Sequence, residues 1–327
     1  MKPSQVKTAL HHTIKAGTPA FIWGSPGIGK SDITRQLAAE ENLELRDIRA
    51  SLLDPVDLRG LPRIDSEDRM SFCPPVFLPT TGRGILFLDE LNQAAPATLA
   101  ACYQLILDRR LGEYSLPDGW SIIAAGNRET DRAIVNRMPT PLANRFVHIY
   151  MEPDLEDWIS WGLGAGIRTE LLAYARYRPA VLNGFDPART EKAFSTPRSL
   201  EKLSRIMDTN PPAGLELELY SGIVGQGTAT EILGFRRIFM DLPDLDQIEK
   251  HPDTTTAPTD PAILYALAGA LSHRATVRNI AAITTYLDRI PAEFSVLTMR
   301  DATRIHPEIM KTAAFIAWAT KNQDIIL

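Results

Sequence analysis

Apolar positions recur along this chain with two periods, and the places where the period changes mark its elements. Val6, Leu10 and Ile14 stand four apart, which predicts an amphipathic helix over residues 4–15 that ends at Gly17. The run Phe21-Ile22-Trp23 then fits a short buried strand, and Ile33, Leu37 and Ala38 restore helical spacing over residues 31–41. Residues 43–48 alternate apolar and charged positions, as a second strand does. Residues 54–62 break regular structure, and residues 65–84, which hold Cys73-Pro74-Pro75, read as an irregular insertion. The four consecutive apolar residues 85–88 suit a strand buried on both faces, the pattern of a parallel sheet. Pro96 opens a helix with Leu99, Cys102, Tyr103 and Ile106 on one face, ended by Arg109 and Arg110. Residues 111–120 read as a hairpin turning at Leu116-Pro117-Asp118-Gly119, which leads into a strand that stops at Gly126-Asn127. Residues 146–150 supply a fifth strand.

From Glu152 onward the period stays helical, first through Leu155, Trp158 and Ile159 and then through Leu171, Leu172 and Ala175. Thr196 offers a capping hydroxyl and Pro197 the first helical position, so Arg198 stands exposed in a first turn while Leu200, Leu203 and Ile206 face inward. Leu215-Glu216-Leu217-Glu218-Leu219 alternates as a strand would, yet its neighbours are helical and it is assigned to a helix. Ile232, Phe235 and Phe239 place another helix over residues 228–240. Residues 251–260, rich in Pro and Thr, are the best linker candidate, and three helices are expected after them, over residues 261–273, 277–290 and 307–322.

Composition narrows the class. At 327 residues and 44% hydrophobic, the chain can fill two or three cores, which excludes a disordered scaffold. A formal net charge of −5 weighs against general affinity for duplex nucleic acid, although a local basic patch is compatible with an acidic whole. Cys73 and Cys102 lie in unlike contexts with no metal-ligand spacing and read as reduced thiols. The first 17 residues mix charges and histidines with apolar positions, which fits neither a signal peptide nor a span, and no stretch nears about 18 uninterrupted apolar residues. A soluble, cytoplasmic protein is expected, with no membrane partner.

The chemistry is concentrated in Gly24-Ser25-Pro26-Gly27-Ile28-Gly29-Lys30-Ser31, which satisfies G-x-x-x-x-G-K-[ST] between a strand and a helix. The glycines free the backbone to aim N–H groups at phosphate oxygens. Lys30 supplies a point charge for the outer phosphates, and the Ser31 hydroxyl is a ligand for Mg²⁺. Asp89 and Glu90 emerge at the end of the buried strand, where open α/β sheets bind ligands. Asp89 is suited to hold Mg²⁺, directly or through water, and Glu90 to orient and deprotonate the water that attacks a γ-phosphate. Asn127, at the tip of the next strand, is placed to hold that water or touch the γ-phosphate. Residues 130–145 add Asp131, Arg132, Arg137, Asn144 and Arg145. Arg145 precedes an edge strand, so it is either surface charge or a side chain that reaches a neighbour's site.

Taken in order, the phosphate loop, the Leu88-Asp89-Glu90 strand end, a helix and hairpin before Asn127, Leu142-Ala143-Asn144-Arg145-Phe146 and Thr196-Pro197-Arg198 resemble the AAA+ ATPases, and within them the MoxR-like group. The resemblance spans about residues 16–206. It implies an α/β P-loop NTPase core with a five-stranded parallel sheet over residues 1–151, an α-helical lid over 152–250 and a C-terminal helical extension over 251–327. Residues 24–31 then correspond to Walker A and Asp89-Glu90 to Walker B. Asn127 corresponds to sensor 1, Arg145 to the arginine finger, with Arg132 and Arg137 competing for that role, and Arg198 to the sensor 2 arginine. Residues 65–84 match the helix-2 insert and 111–120 the pre-sensor hairpin, both of which face a central pore.

Proteins of this group are implied to form hexameric rings that hydrolyse ATP with Mg²⁺ at subunit interfaces and remodel protein partners, often ones with a von Willebrand factor A domain. A nucleic-acid-dependent motor and a nucleotide-dependent structural switch are the alternatives. The acidic balance and the lack of a recognisable nucleic-acid module weigh against the first. Glu90 beside Asn127 weighs against the second, since a pure switch has no use for a water-activating carboxylate. The phosphate loop reads phosphates and not the base, so ATP over GTP rests on the resemblance.

Overall fold

The computed structural model describes all residues except 65, 67, 132–137, 190, 241 and 327. Nine strands and sixteen α-helices are described, in two compact units. The first unit takes Met1–Pro153 with Phe185–Thr190. In chain order it holds α1 (Pro3–Lys15), β1 (Ala20–Trp23), α2 (Lys30–Glu40), β2 (Glu44–Arg49), α3 (Pro55–Arg59), β3 (Leu61–Ile64), β4 (Met70–Cys73) and β5 (Gly84–Asp89). It continues with α4 (Pro96–Asp108), β6 (Arg110–Leu111), β7 (Tyr114–Ser115), β8 (Trp120–Gly126), α5 (Thr140–Ala143) and β9 (Val147–Tyr150).

Five strands form one parallel sheet in the order β2-β5-β8-β1-β9. β5 and β8 are buried almost throughout because neighbours flank both edges and cores cover both faces. On one face Phe21, Leu86, Leu88, Ile122 and Ala124 meet α4 through Leu99, Cys102 and Ile106. On the other, Ile22, Ile85, Phe87 and Ile123 meet Val6 and Leu10 of α1 and Ile33 and Leu37 of α2. The period-two alternation along β1, β5 and β8 therefore feeds two cores. Burial pushes the Cys102 thiol up to about 12, so it is inert, while Cys73 is exposed.

Two expectations for this unit are corrected. Residues 54–62 are not a break: the Asp54 backbone N–H donates to Asp57 Oδ2 at 2.9 Å at the start of α3, with Pro55 in the first turn. The insertion is also regular where it was expected to be irregular, since β3 and β4 pair antiparallel from Leu61↔Cys73 to Ile64↔Met70. Its hydrophobic residues Leu61, Ile64 and Met70 stay exposed, so no burial pattern announces the ribbon in the sequence. The second ribbon exists, but it turns elsewhere. β6 pairs β7 across Gly112-Glu113, with Gly112 at φ +59°, as a two-residue loop with glycine at its first central position allows. Leu116-Pro117-Asp118-Gly119 is instead the connection into β8.

The second unit takes Asp154–Gly184 and Glu191–Leu327. It comprises α6 (Leu155–Ala165), α7 (Thr169–Tyr177), α8 (Pro197–Asp208), α9 (Ala213–Val224), α10 (Gln226–Met240) and α11 (Leu245–Lys250). α12 (Pro261–Arg274), α13 (Ile280–Leu287), α14 (Ala292–Ile305), α15 (Ala313–Lys321) and α16 (Gln323–Ile326) follow. The alternating leucines do lie in a helix, α9, where Leu215, Leu217 and Leu219 are exposed and Tyr220 and Val224 are buried. α14 falls in a gap between expected helices, because three of the positions it buries are polar. Ser295, Thr298 and Asp301 share its inner face with Phe294, Met299 and Ala302. Asp301 meets Arg176 of α7 there with paired hydrogen bonds, one of 2.9 Å, in a buried bidentate ion pair. Residues 251–260, expected as a linker, are pinned by Arg289, which donates to the carbonyls of Pro252 and Thr255, and by Tyr286, which donates to that of Thr256.

α8 begins as its sequence predicts. The Thr196 hydroxyl accepts from the Ser199 backbone N–H and the Ser199 hydroxyl accepts from the Thr196 N–H, with Pro197 in first position. Thr196→Ala should cost about 1 kcal/mol of stability, the ordinary value of a lost N-cap. Chemical denaturation of the whole protein, followed through the unfolding of its helices, measures it.

Candidate functional site

β1 ends at Trp23 and α2 starts at Lys30, so the phosphate loop spans the gap between a buried strand and a helix N-terminus. Gly27 and Gly29 take φ of +78° and +101°, conformations that a side chain would strain. A Cβ on Gly24 would lie 2.4 Å from Ile28 Cδ1, so the loop also closes tightly on itself. Lys30 is buried, and its ammonium donates to the carbonyls of Gly24 at 2.7 Å and Ser25 at 3.1 Å and to Asn127 Oδ1 at 3.1 Å. The loop lysine and the asparagine at the tip of β8 thus meet directly, although 97 positions separate them.

Parallel pairing of β5 with β8 and of β8 with β1 carries the strand ends to one edge of the sheet. There Ser31 Oγ donates to Asp89 Oδ2 at 2.6 Å. Glu90 follows at φ +54°, a left-handed conformation that costs a residue with a side chain roughly 1–2 kcal/mol. Its backbone N–H donates to Asp89 Oδ1 at 2.9 Å, and its carboxylate accepts from the Ser51 hydroxyl. Asp47 on β2 shares this electrostatic surrounding. Its carboxyl is raised above the usual range by burial and then by the like charge of Asp89, with Arg35 and Arg49 pulling the other way.

Three residues of the site escape a reading from sequence. Ser51 lies just beyond β2 and is invisible as a partner of Glu90 until pairing of β2 with β5 aligns Arg49 with Asp89. Asn92 is buried and its amide donates to the Asn127 carbonyl at 2.8 Å, fixing the turn that follows β8. A polar residue directly after Asp89-Glu90-Leu91 was the available signal. Arg128, next to Asn127, donates to the Ser25 hydroxyl within the phosphate loop.

Two candidate arginines remain. Arg145 is exposed, and its guanidinium makes no hydrogen bond or ion pair among the described residues. Register pairs Val147 with Ala20 and Tyr150 with Trp23, so Arg145 lies at the edge of the sheet opposite the phosphate loop, about 13 Å of strand away. Arg198 is exposed in the first turn of α8, in the second unit. Arg132 and Arg137 lie outside the described residues.

Residues 19–146 are similar to the AAA domain (dynein-related subfamily). The matched segment lies within the first unit. It includes the phosphate loop, Asp89, Glu90, Asn127 and Arg145. Among solved structures, a point mutant of Thermotoga maritima RuvB is 15% identical with a TM-score of 0.41, over 82% of this chain and 80% of that one. NtrX from Brucella abortus in complex with ADP is 16% identical with a TM-score of 0.41, over 99% of this chain and 68% of that one. The curated proteins contain no match. No helix among the described residues is long and apolar enough to cross a membrane.

The donors present at this sheet edge suit Mg²⁺. Ser31 and Asp89 offer one hydroxyl and one carboxylate, hard oxygens of the kind this ion takes in small number while keeping waters and substrate phosphates.

Proposed function

We propose that this protein is a MoxR-like AAA+ ATPase that hydrolyses ATP at the subunit interfaces of a ring and uses the cycle to remodel or activate a protein partner. The observation that carries the hydrolytic reading is the convergence at one sheet edge of the Lys30–Asn127 contact and the Ser31–Asp89 contact, with Glu90 adjoining. Lys30 binds the outer phosphates, and the loop amides cradle them. Ser31 and Asp89 hold Mg²⁺, which when bound neutralises charge on the phosphate oxygens. Asn127 orients and Glu90 accepts the proton of the attacking water. Arg145, far from its own loop, completes a neighbouring subunit's site, and a hexamer is the ring that the family resemblance favours. Arg198 serves as the sensor 2 contact from the lid. A partner with a von Willebrand factor A domain is the first to test.

The purified chain should release phosphate from ATP with Mg²⁺ present and stop when EDTA is added. Turnover raised severalfold by DNA, with a steep loss on added salt, would favour a nucleic-acid motor instead. Absence of turnover would leave a nucleotide switch.

The Ser51 hydroxyl donates to the Glu90 carboxylate. A hydrogen bond to a charged group is worth about 1.5–3 kcal/mol, part of which must be given up before Glu90 can engage water. Ser51→Ala should therefore raise basal turnover severalfold with nucleotide affinity unchanged. A steady-state phosphate-release assay beside a nucleotide titration reads both quantities.

A further inference from the structure

Among the described residues, two cationic side chains hydrogen-bond the phosphate loop, and the proposed mechanism uses one of them. Lys30 grips the carbonyls of Gly24 and Ser25, and Arg128 donates through Nη2 to the Ser25 hydroxyl. Arg128 is held from behind by Asp131, whose side chain is 3% exposed. Asp131 Oδ2 accepts from the Arg128 backbone N–H at 3.0 Å, and its Oδ1 accepts from Nε and lies near Nη2, each at 3.2 Å. The Asp131 N–H returns a bond to the Arg128 carbonyl at 3.0 Å, closing the turn on itself.

This clamp occupies one edge of a planar guanidinium. Nη1 makes no hydrogen bond among the described residues, and the side chain is 36% exposed. A rigid fork with one edge fixed by a buried carboxylate, Nη2 shared with the neutral Ser25 hydroxyl and Nη1 without a partner among the described residues is preorganised for a second anion. Its place says which anion. Arg128 follows Asn127, whose side chain touches Lys30, and the lysine of such a loop serves the β- and γ-phosphates. Asp131 also offsets the charge of Arg128, which shares the phosphate loop with Lys30.

We infer that Arg128, oriented by Asp131, is a specificity-determining residue that binds the terminal phosphate and sets the preference for a nucleoside triphosphate over a diphosphate. The Ser25 hydroxyl is its resting partner. The inference rests on the ATPase reading and goes beyond it, because Arg128 acts within its own subunit and discriminates at binding.

Calorimetric titration of the full chain with Mg²⁺ and either the non-hydrolysable imido analogue of ATP or ADP tests it. Arg128→Ala should weaken the triphosphate analogue roughly ten- to a hundredfold, the weight of a charge-assisted bond, and change ADP affinity by less than about twofold. Retained ADP binding also shows that the variant folds. Arg128→Lys, which keeps the charge and loses the fork, should recover part of the triphosphate affinity. Asp131→Asn should shift the ratio in the same direction as Arg128→Ala by a smaller factor. Equal weakening of both nucleotides by Arg128→Ala would make Arg128 a scaffold of the loop and overturn the inference alone, as would no change in either. A native protein that binds neither nucleotide would overturn the ATPase reading, and the inference with it.

Discussion

Glu90→Gln should give a protein that binds ATP normally and hydrolyses it roughly a hundred to ten thousand times more slowly, the usual worth of a positioned general base. The substitution changes little but charge and basicity: the amide is nearly isosteric with the carboxylate, and its oxygen still accepts from Ser51. It leaves Lys30, Ser31 and Asp89 untouched, so the loop, its contact with Asn127 and the magnesium donors persist. The backbone at Glu90 is the reason to expect so large an effect. A left-handed φ of +54° in a residue that is not glycine persists only when its surroundings enforce it. Here Asp89 enforces it through the Glu90 N–H, which turns the carboxylate away from the strand direction and toward Ser51. Phosphate release and a parallel nucleotide titration separate the chemistry from binding. Undiminished turnover would transfer the base role to another residue, whereas loss of binding would mean that Glu90 shapes the phosphate loop.

What the sequence discloses of this site follows a physical rule. Residues 24–31, Asp89, Glu90 and Asn127 are legible because each stands at the end of an apolar strand, where hydrophobic pattern and polar punctuation meet. The five-stranded parallel sheet is legible for the same reason, and the structure has it. Ser51, Asn92 and Arg128 are not, since their meaning comes from register between strands that lie 35 to 103 positions from their partners. Local pattern does not say which strands are neighbours. α14 is hidden by a different cause. A helix that buries Asp301 against Arg176, Ser295 against Trp318 and Thr298 against its own backbone spends its inner face on hydrogen bonds and ion pairing, and its apolar period thins below recognition. The β3–β4 ribbon escapes because its outward leucine, isoleucine and methionine pay no heed to the inside-outside rule on which strand reading depends.

Arg145→Ala should abolish turnover by roughly a thousandfold to a hundred-thousandfold, the range for an arginine that stabilises phosphoryl transfer from outside the nucleotide's own subunit. The structure makes a role within its own subunit hard to sustain. Parallel register sets Arg145 at the edge of the sheet where β1 begins, and the phosphate loop leaves from where β1 ends. Nor is Arg145 a loose surface charge on a pliant loop. Phe146 is buried, its ring 5.4 Å from that of Phe21 in an edge-on contact. His148 accepts from Trp23 Nε1 at 2.8 Å and lies 2.8 Å from the Ala143 carbonyl through its other ring nitrogen. Those contacts tie the platform under Arg145 to the strand that carries the phosphate loop, while the guanidinium itself is exposed and bonded to nothing among the described residues. A rigid base under an unspent cation is what a partner subunit requires. Mixing decides the matter. Arg145→Ala subunits keep an intact loop and Lys30→Ala subunits keep an intact arginine, so mixed rings should regain part of the turnover that each variant lacks alone. Recovery requires that the two halves of a site come from different chains, whereas mixtures as inactive as their components would return Arg145 to a role within its own subunit.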